Sequence, residues 1–121
     1  DATGLTRVFI NLIDNAVQAM PDGGELHVVA ESSRENNAIE IVFTDTGVGI
    51  PPEDLPHIFD TFYTKKTSAS GVGLGLSVSY GIIKRHGGTI EVRSTHLAGT
   101  TFTITLPVKS PWARQMHLDL T

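Results

Sequence analysis

Residues Ile39–Pro51, IEIVFTDTGVGIP, change character halfway along. Ile39, Ile41 and Phe43 occupy alternate positions, and a period of two places them on one face of a β-strand. Asp45, Gly47 and Gly49 then follow where the apolar run stops. An Asp at a strand end with two glycines after it has two readings. It closes a tight Asp-x-Gly turn, or it floors a pocket. In the second case the carboxylate accepts a hydrogen bond from an exocyclic amine, and Gly47 and Gly49 let a planar ring approach the backbone.

Three further segments repeat the alternation. Leu26, Val28 and Ala30 share one face, as do Ile90 and Val92, and Phe102, Ile104 and Leu106. Polar residues such as Glu40, Glu91, Arg93, Thr101, Thr103 and Thr105 take the other face. Strands with one apolar and one wetter side suit a largely antiparallel sheet covered on one side by helices. ENN at 35–37 and HLAG at 96–99 are hairpin connections by composition. Thr3–Met20, TGLTRVFINLIDNAVQAM, reads as an amphipathic helix whose apolar arc holds Phe9, Leu12, Ile13, Ala16, Val17 and Met20. PDGG at 21–24 ends it. Leu76–His86 reads as a second helix closed by Gly87-Gly88, and Pro52–Phe59 as a short one. Residues 60–70 have loop or lid composition, and the chain after Pro107 reads as a tail or linker. The fold class that follows is α+β, a two-layer sandwich of helices on one face of a mixed, mostly antiparallel sheet.

Composition narrows the function. A chain of 121 residues supports one hydrophobic core. Net charge is −4, and the basic residues cluster no further than the pairs Lys65-Lys66 and Lys84-Arg85, which argues against a nucleic-acid surface. There is no cysteine for disulfide or thiol chemistry. No apolar run approaches the ~20 residues of a membrane span, so no membrane contact is expected of this segment.

A second glycine-rich stretch, Ser68–Val78, SASGVGLGLSV, carries Gly71, Gly73 and Gly75 on alternate positions. The dinucleotide fingerprint G-x-G-x-x-G fails, because Leu76 stands where its third glycine belongs. The P-loop fails too, since the chain contains no Gly-Lys pair. What remains is a loop opening a helix near Leu76-Ser77. Its free N–H groups and positive dipole end suit an anion; a flexible turn is the alternative. Asn11 and Asn15, four apart, share a helix face. Their carboxamide oxygens are hard ligands of the kind Mg²⁺ accepts beside phosphate oxygens, or else they are solvated or capping groups.

Taken in order, NLIDNA, DTGVGI, IFDTFYTKK and GVGLGL resemble the N, G1, F and G2 boxes of the sensor histidine kinase catalytic domain. That domain belongs to the ATP-binding superfamily shared with DNA gyrase, Hsp90 and MutL. The resemblance runs over residues 1–107, leaving 108–121 as tail, and it implies a fold of the Bergerat type. It also implies that the first strand or strands, and the dimerisation helices, lie upstream of Asp1. By position Asn15 is similar to the Mg²⁺-coordinating asparagine, and Asn11 to a residue facing the phosphates one turn earlier. Asp45 matches the carboxylate that recognises the adenine amine, with Gly47, Gly49 and Ile50 shaping that pocket. Lys66 falls where related FYTTK sequences place a phosphate-facing lysine, with Lys65 replacing the second Thr. Gly71, Gly73 and Gly75 match the hinge of the ATP lid, and N–H groups around Leu74–Leu76 would hold phosphates. Thr100 matches a threonine near adenine, and the period-two pattern independently puts it on the Phe102 face. Gln18 departs from relatives that carry Lys or Arg there, and the segment between the last two boxes is short.

The resemblance implies Mg-ATP as ligand and γ-phosphoryl transfer to a histidine on a separate dimerisation domain, with a response regulator downstream, in the cytoplasm. Asn11 stands where gyrase-like ATPases carry a catalytic Glu, and a neutral carboxamide cannot take a proton from water. Mg-ATP held for a protein nucleophile fits better than efficient hydrolysis. His27, His57, His86, His96 and His117 all lack the acidic helical context of a phosphoacceptor, and His86 reads as a helix C-terminal residue. The isolated chain is thus expected to bind ATP without phosphorylating itself. A nucleotide-binding scaffold without kinase activity, and a serine-directed kinase of the same superfamily, are the alternatives.

Overall fold

The computed structural model describes residues 2–33, 35, 37–60 and 72–108, the side chains of residues 2 and 72–74 excepted. Helix α1 (Ala2–Gln18) leads into a hairpin of β1 (Leu26–Ser33) and β2 (Ala38–Asp45). A 3-10 turn at Leu55–His57, helix α2 (Val72–Arg85), and a second hairpin of β3 (Thr89–Thr95) and β4 (Gly99–Pro107) follow. The strands lie in the order β1-β2-β4-β3, and each of these pairings is antiparallel. Asn37 and Leu97 take positive φ values of 53° and 71° at the two hairpin tips.

The register stacks the inward side chains in rows across three strands. Ile41, Ile104 and Ile90 form one row, and Phe43, Phe102 and Val92 the next. The third row, one period further along, is Asp45, Thr100 and Ser94. The alternation that builds the core therefore continues past its apolar end into polar side chains on the same face.

Helix α1 buries Val8, Leu12 and Ala16, spaced i, i+4, i+8, while Ile13 and Val17 are 42% and 59% exposed. This corrects the expected apolar arc, which included both exposed residues and left out Val8. The cause is the second helix. α2 packs against the flank of α1 that carries Asn11, so α1 is rolled toward α2 rather than laid squarely on the sheet. Phe9 still reaches the sheet, with its ring 5.9 Å from that of Phe43. The expected short helix over 52–59 reduces to the 3-10 turn, since Pro51, Pro52 and Pro56 lack the N–H groups a longer helix needs. Phe59 then packs edge-on against Tyr80 and Phe102, tying this segment to α2 and the sheet.

Helix α2 starts at Val72, four residues before the expected Leu76, so Gly73 and Gly75 lie inside the helix. Its other end is as expected. Gly87 has φ +76°, its N–H donates to the Lys84 carbonyl at 3.0 Å, and the Gly88 N–H donates to that of Ile83 at 3.0 Å. These two bonds form a Schellman C-cap. His86 closes the same turn by donating from Nδ1 to the Ile82 carbonyl at 2.8 Å.

The rolled packing of α1 has a measurable consequence. Leu12→Ala is expected to cost about 2–5 kcal/mol in urea denaturation, as a large-to-small change at a buried site. Val17→Ser is expected to change stability by no more than about 0.5 kcal/mol, as a substitution in solvent.

Candidate functional site

Asp45 is 7% exposed at the end of β2. A carboxylate so placed needs donors. Its Oδ1 accepts two backbone N–H groups, Gly47 at 2.8 Å and Thr100 at 3.3 Å. The first bond is the Asp-x-Gly turn; the second comes from the neighbouring strand. Both fall on one oxygen, so among the described residues Oδ2 is left without a donor. The turn reading and the pocket reading thus describe the two halves of one carboxylate.

The loop after Asp45 is held from both sides. Thr46 donates its N–H to the Glu25 carbonyl at 3.1 Å, and Val48 donates to the Ala19 carbonyl at the end of α1 at 2.9 Å. On the other side the Leu97 N–H donates to the Val48 carbonyl, and the Ile50 N–H to Ser94 Oγ at 2.7 Å. This explains the glycines. A Cβ on Gly47 would run into the Ala19 carbonyl, and one on Gly49 into the backbone of Thr95. Gly49 also has φ +73°. Both glycines are thus required first by the protein's own backbone on either side of the loop.

Ser94 escaped the sequence reading and turns out to organise this end of the sheet. Besides accepting from Ile50, its hydroxyl donates to the Gly99 carbonyl at 3.0 Å and lies 2.9 Å from Thr100 Oγ1. Because the Ser94 proton goes to Gly99, the Thr100 hydroxyl is the donor of that last bond. Thr100 itself is 5% exposed, on the Phe102 face as expected. A signal for Ser94 was present, namely a polar residue in the apolar phase of β3, two places after Val92.

The second half of the site lies on the helices. Asn11 Nδ2 donates to the Gly75 carbonyl at 3.1 Å and to Ser79 Oγ at 3.2 Å. Near the start of α1, Thr3, Gly4 and Arg7 border the same surface pocket as Ile82 and Arg85 of α2 and His86 just after it. The two helices therefore run antiparallel. Asn15, about 6 Å further along α1, lies toward the first turn of α2. It is half-buried, and among the described residues its carboxamide makes no side-chain hydrogen bond. The N–H groups of that first turn, through Leu74, have no intrahelical acceptor. Those of Gly75 and Leu76 enter the helix ladder, which moves the expected Leu74–Leu76 donor set toward the helix start. Gln18 donates to Asp14 Oδ2 at 3.0 Å on the exposed side of α1. Lys66 and Gly71 lie outside the described residues.

No group of three His, Cys, Asp or Glu side chains among the described residues could hold a metal ion. The donor set here is of another kind. Among the described residues the Asn15 carboxamide and the Asn11 oxygen make no side-chain hydrogen bond, and carboxamide oxygens suit a hard cation that takes its remaining ligands from phosphate and water. No described helix is long and apolar enough to cross a membrane.

Residues 1–110 match the family described as histidine kinase-, DNA gyrase B- and HSP90-like ATPase. The chain is 43% identical over 105 residues to sporulation kinase E of Bacillus subtilis, covering 87% of this chain and 14% of that protein. It is 44% identical over 108 residues to the sensor histidine kinase ZraS of Escherichia coli, covering 89% and 22%. Among solved structures it superposes on the mycobacterial sensor histidine kinase MprB with a TM-score of 0.77 at 34% identity, covering 88% of this chain and 74% of that one. For the catalytic domain of histidine kinase ThkA the values are 0.78, 32%, 94% and 72%. Full-length ShkA in complex with AMPPNP gives 0.73 at 25% identity, covering 86% and 21%.

The bridging role of Ser94 is open to test. Ser94→Ala removes the acceptor of Ile50 and the partner of Thr100, and is expected to lower stability by about 1–3 kcal/mol in chemical denaturation. Loss of less than half of that would mean the row is held by the backbone alone.

Proposed function

The chain belongs to the histidine kinase-, DNA gyrase B- and HSP90-like ATPase family, and from that premise we propose that it is the Mg-ATP-binding catalytic domain of a sensor histidine kinase. The observation that carries this reading is the divided carboxylate of Asp45. One oxygen is spent on Gly47 and Thr100, which locks the group's orientation, and the other is left for a ligand donor. That is the arrangement an exocyclic adenine amine requires, with Gly47, Gly49 and Ile50 along the loop beside it and Thr100 across the sheet.

The remaining roles follow from the helices. Asn15 would hold Mg²⁺, which neutralises phosphate charge when bound, and the Asn11 oxygen one turn earlier would face the same Mg²⁺-nucleotide. The free N–H groups at the start of α2, with Gly71, Gly73 and Leu74, would cradle the phosphates, together with Lys66. Gly75 and Leu76 continue that helix. None of these side chains is a base suited to activating water. The chain's work in this reading is to orient the nucleotide and its γ-phosphate toward an incoming nucleophile. That nucleophile is a histidine on a separate dimerisation domain, and a response regulator receives the phosphoryl group afterward. The reading locates the domain in the cytoplasm, where ATP is available. The chain spans 14% and 22% of the two curated relatives named above.

Calorimetric titration with Mg-ATP tests the proposal. The wild-type chain is expected to bind, and Asp45→Asn to weaken binding about 10–100-fold, the loss of one hydrogen bond to a charged acceptor. Absence of binding at millimolar nucleotide by a folded chain would overturn the reading. Supplying a separately prepared helical phosphoacceptor domain should produce acid-labile phosphate; acid-stable phosphoserine would instead point to a serine-directed kinase.

A further inference from the structure

Helix α2 contains one described polar side chain with no solvent exposure at all, Ser79 at 0%. It lies in the row Gly75, Ser79, Ile83, and Ile83 is equally buried. An apolar residue would fill such a position at no desolvation cost, so a hydroxyl here calls for a partner. Ser79 Oγ donates to the Gly75 carbonyl at 2.8 Å, the common bond from a helical serine to the residue four before it. With its proton committed, the oxygen presents lone pairs, and Asn11 Nδ2 donates to it from α1 at 3.2 Å. The same Nδ2 donates to the Gly75 carbonyl at 3.1 Å.

These three contacts form a closed triangle in which the Ser79 proton goes to the Gly75 carbonyl and the Asn11 amide donates toward both oxygens. The geometry admits one orientation of the Asn11 carboxamide. Turning it over would set Oδ1 against the Gly75 carbonyl, oxygen facing oxygen. The Ser79 proton could then reach Oδ1 only by leaving Gly75. The distinction matters for a cation. A carboxamide oxygen can ligate Mg²⁺, while the amide end repels it.

We infer that Ser79 is a positioning residue for the metal half of the site: beside the Gly75 carbonyl, which sets the orientation of the Asn11 carboxamide, its hydroxyl accepts a second bond from Nδ2 and steadies the side chain with its oxygen available to a Mg²⁺-nucleotide. The inference rests on the nucleotide-binding reading above. It also gives the carbonyl of Gly75, in the glycine-rich start of α2, a direct link to the asparagine helix. Ser79 acts through Asn11 and touches no ligand in this scheme. Gly75 itself has room for a methyl group, since an added Cβ would meet Asn11 Cγ at an ordinary 3.6 Å. The contact therefore depends on hydrogen bonding and not on a steric squeeze.

The test compares wild type, Ser79→Ala, Ser79→Thr and the double variant Asn11→Ala/Ser79→Ala. ATP affinity is measured by calorimetry with Mg²⁺ and again with EDTA, and the Asn11 side-chain amide is followed by ¹H–¹⁵N NMR. Ser79→Ala is expected to reduce the Mg²⁺ enhancement of ATP binding about two- to tenfold, the worth of one hydrogen bond. Affinity in EDTA and the circular dichroism spectrum should stay unchanged, and the Asn11 amide resonances should shift and exchange faster. Ser79→Thr, which keeps the hydroxyl, should restore the enhancement. In the Asn11→Ala background, Ser79→Ala should have no further effect on it. Equal losses with and without Mg²⁺, or no loss at all, would overturn this inference alone. A folded wild-type chain that binds no nucleotide in either condition would overturn the nucleotide-site reading and this inference with it.

Discussion

A carboxylate buried at the end of an apolar strand sets most of what is particular to this protein. Asp45 continues the inward phase of β2 one step past Phe43, and burial obliges it to find donors. It finds one in its own turn, at Gly47, and one across the sheet, at Thr100. The first demand shapes the loop that follows; the second joins the loop to β4. Ser94 completes the row by bonding Thr100, the Gly99 carbonyl and the Ile50 N–H. The polar row thus closes the apolar rows behind it, and it gathers on one edge the groups that the proposed adenine site requires.

The helices answer a different constraint. Two antiparallel helices above one sheet face must share the burial between them, and here they also share a hydrogen-bonded contact at Asn11. That contact draws the polar flank of α1 toward α2 and leaves Ile13 and Val17 in solvent. It also sets Asn15 toward the first turn of α2, whose N–H groups have no intrahelical acceptor. The base-recognition half and the phosphate half of the proposed site therefore depend on separate sets of contacts. They are joined where the Val48 N–H meets the Ala19 carbonyl just after α1.

Much of the architecture was legible from residue patterns. Period-two alternation locates all four strands and puts Thr100 on the buried face. The glycine pair at 87–88 marked the end of α2. Patterns served less well where partners decide the outcome. The apolar arc of α1 is wide enough to be turned either way, and only the position of α2 selects Val8 over Val17. The start of α2 was obscured because alternating glycines carry no helical periodicity, although Gly73 and Gly75 adopt helical backbone all the same. Ser79 and Ser94 carry no motif of their own. Each nonetheless stands in the apolar phase of its element, and that mismatch is the sign of a buried polar contact.

By itself the sequence determined the fold class, the strand register's apolar face, the failure of the dinucleotide and P-loop patterns, and the candidate residues Asn11, Asn15, Asp45 and Thr100. Those follow from local period and residue type, which act over a few neighbouring positions. Only the tertiary structure decided what each candidate does with its atoms. It assigned one oxygen of Asp45 to two backbone N–H groups and, among the described residues, gave the other none, and it bound the Asn11 amide to the Gly75 carbonyl and Ser79 Oγ. It also made Gly47 and Gly49 a matter of close backbone neighbours at Ala19 and Thr95. Such choices depend on donors and acceptors that are distant in the chain, 55 residues apart for Asp45 and Thr100 and 64 for Asn11 and Gly75. Hydrogen bonding is short-ranged and directional, so which atom is used is settled only when those segments meet.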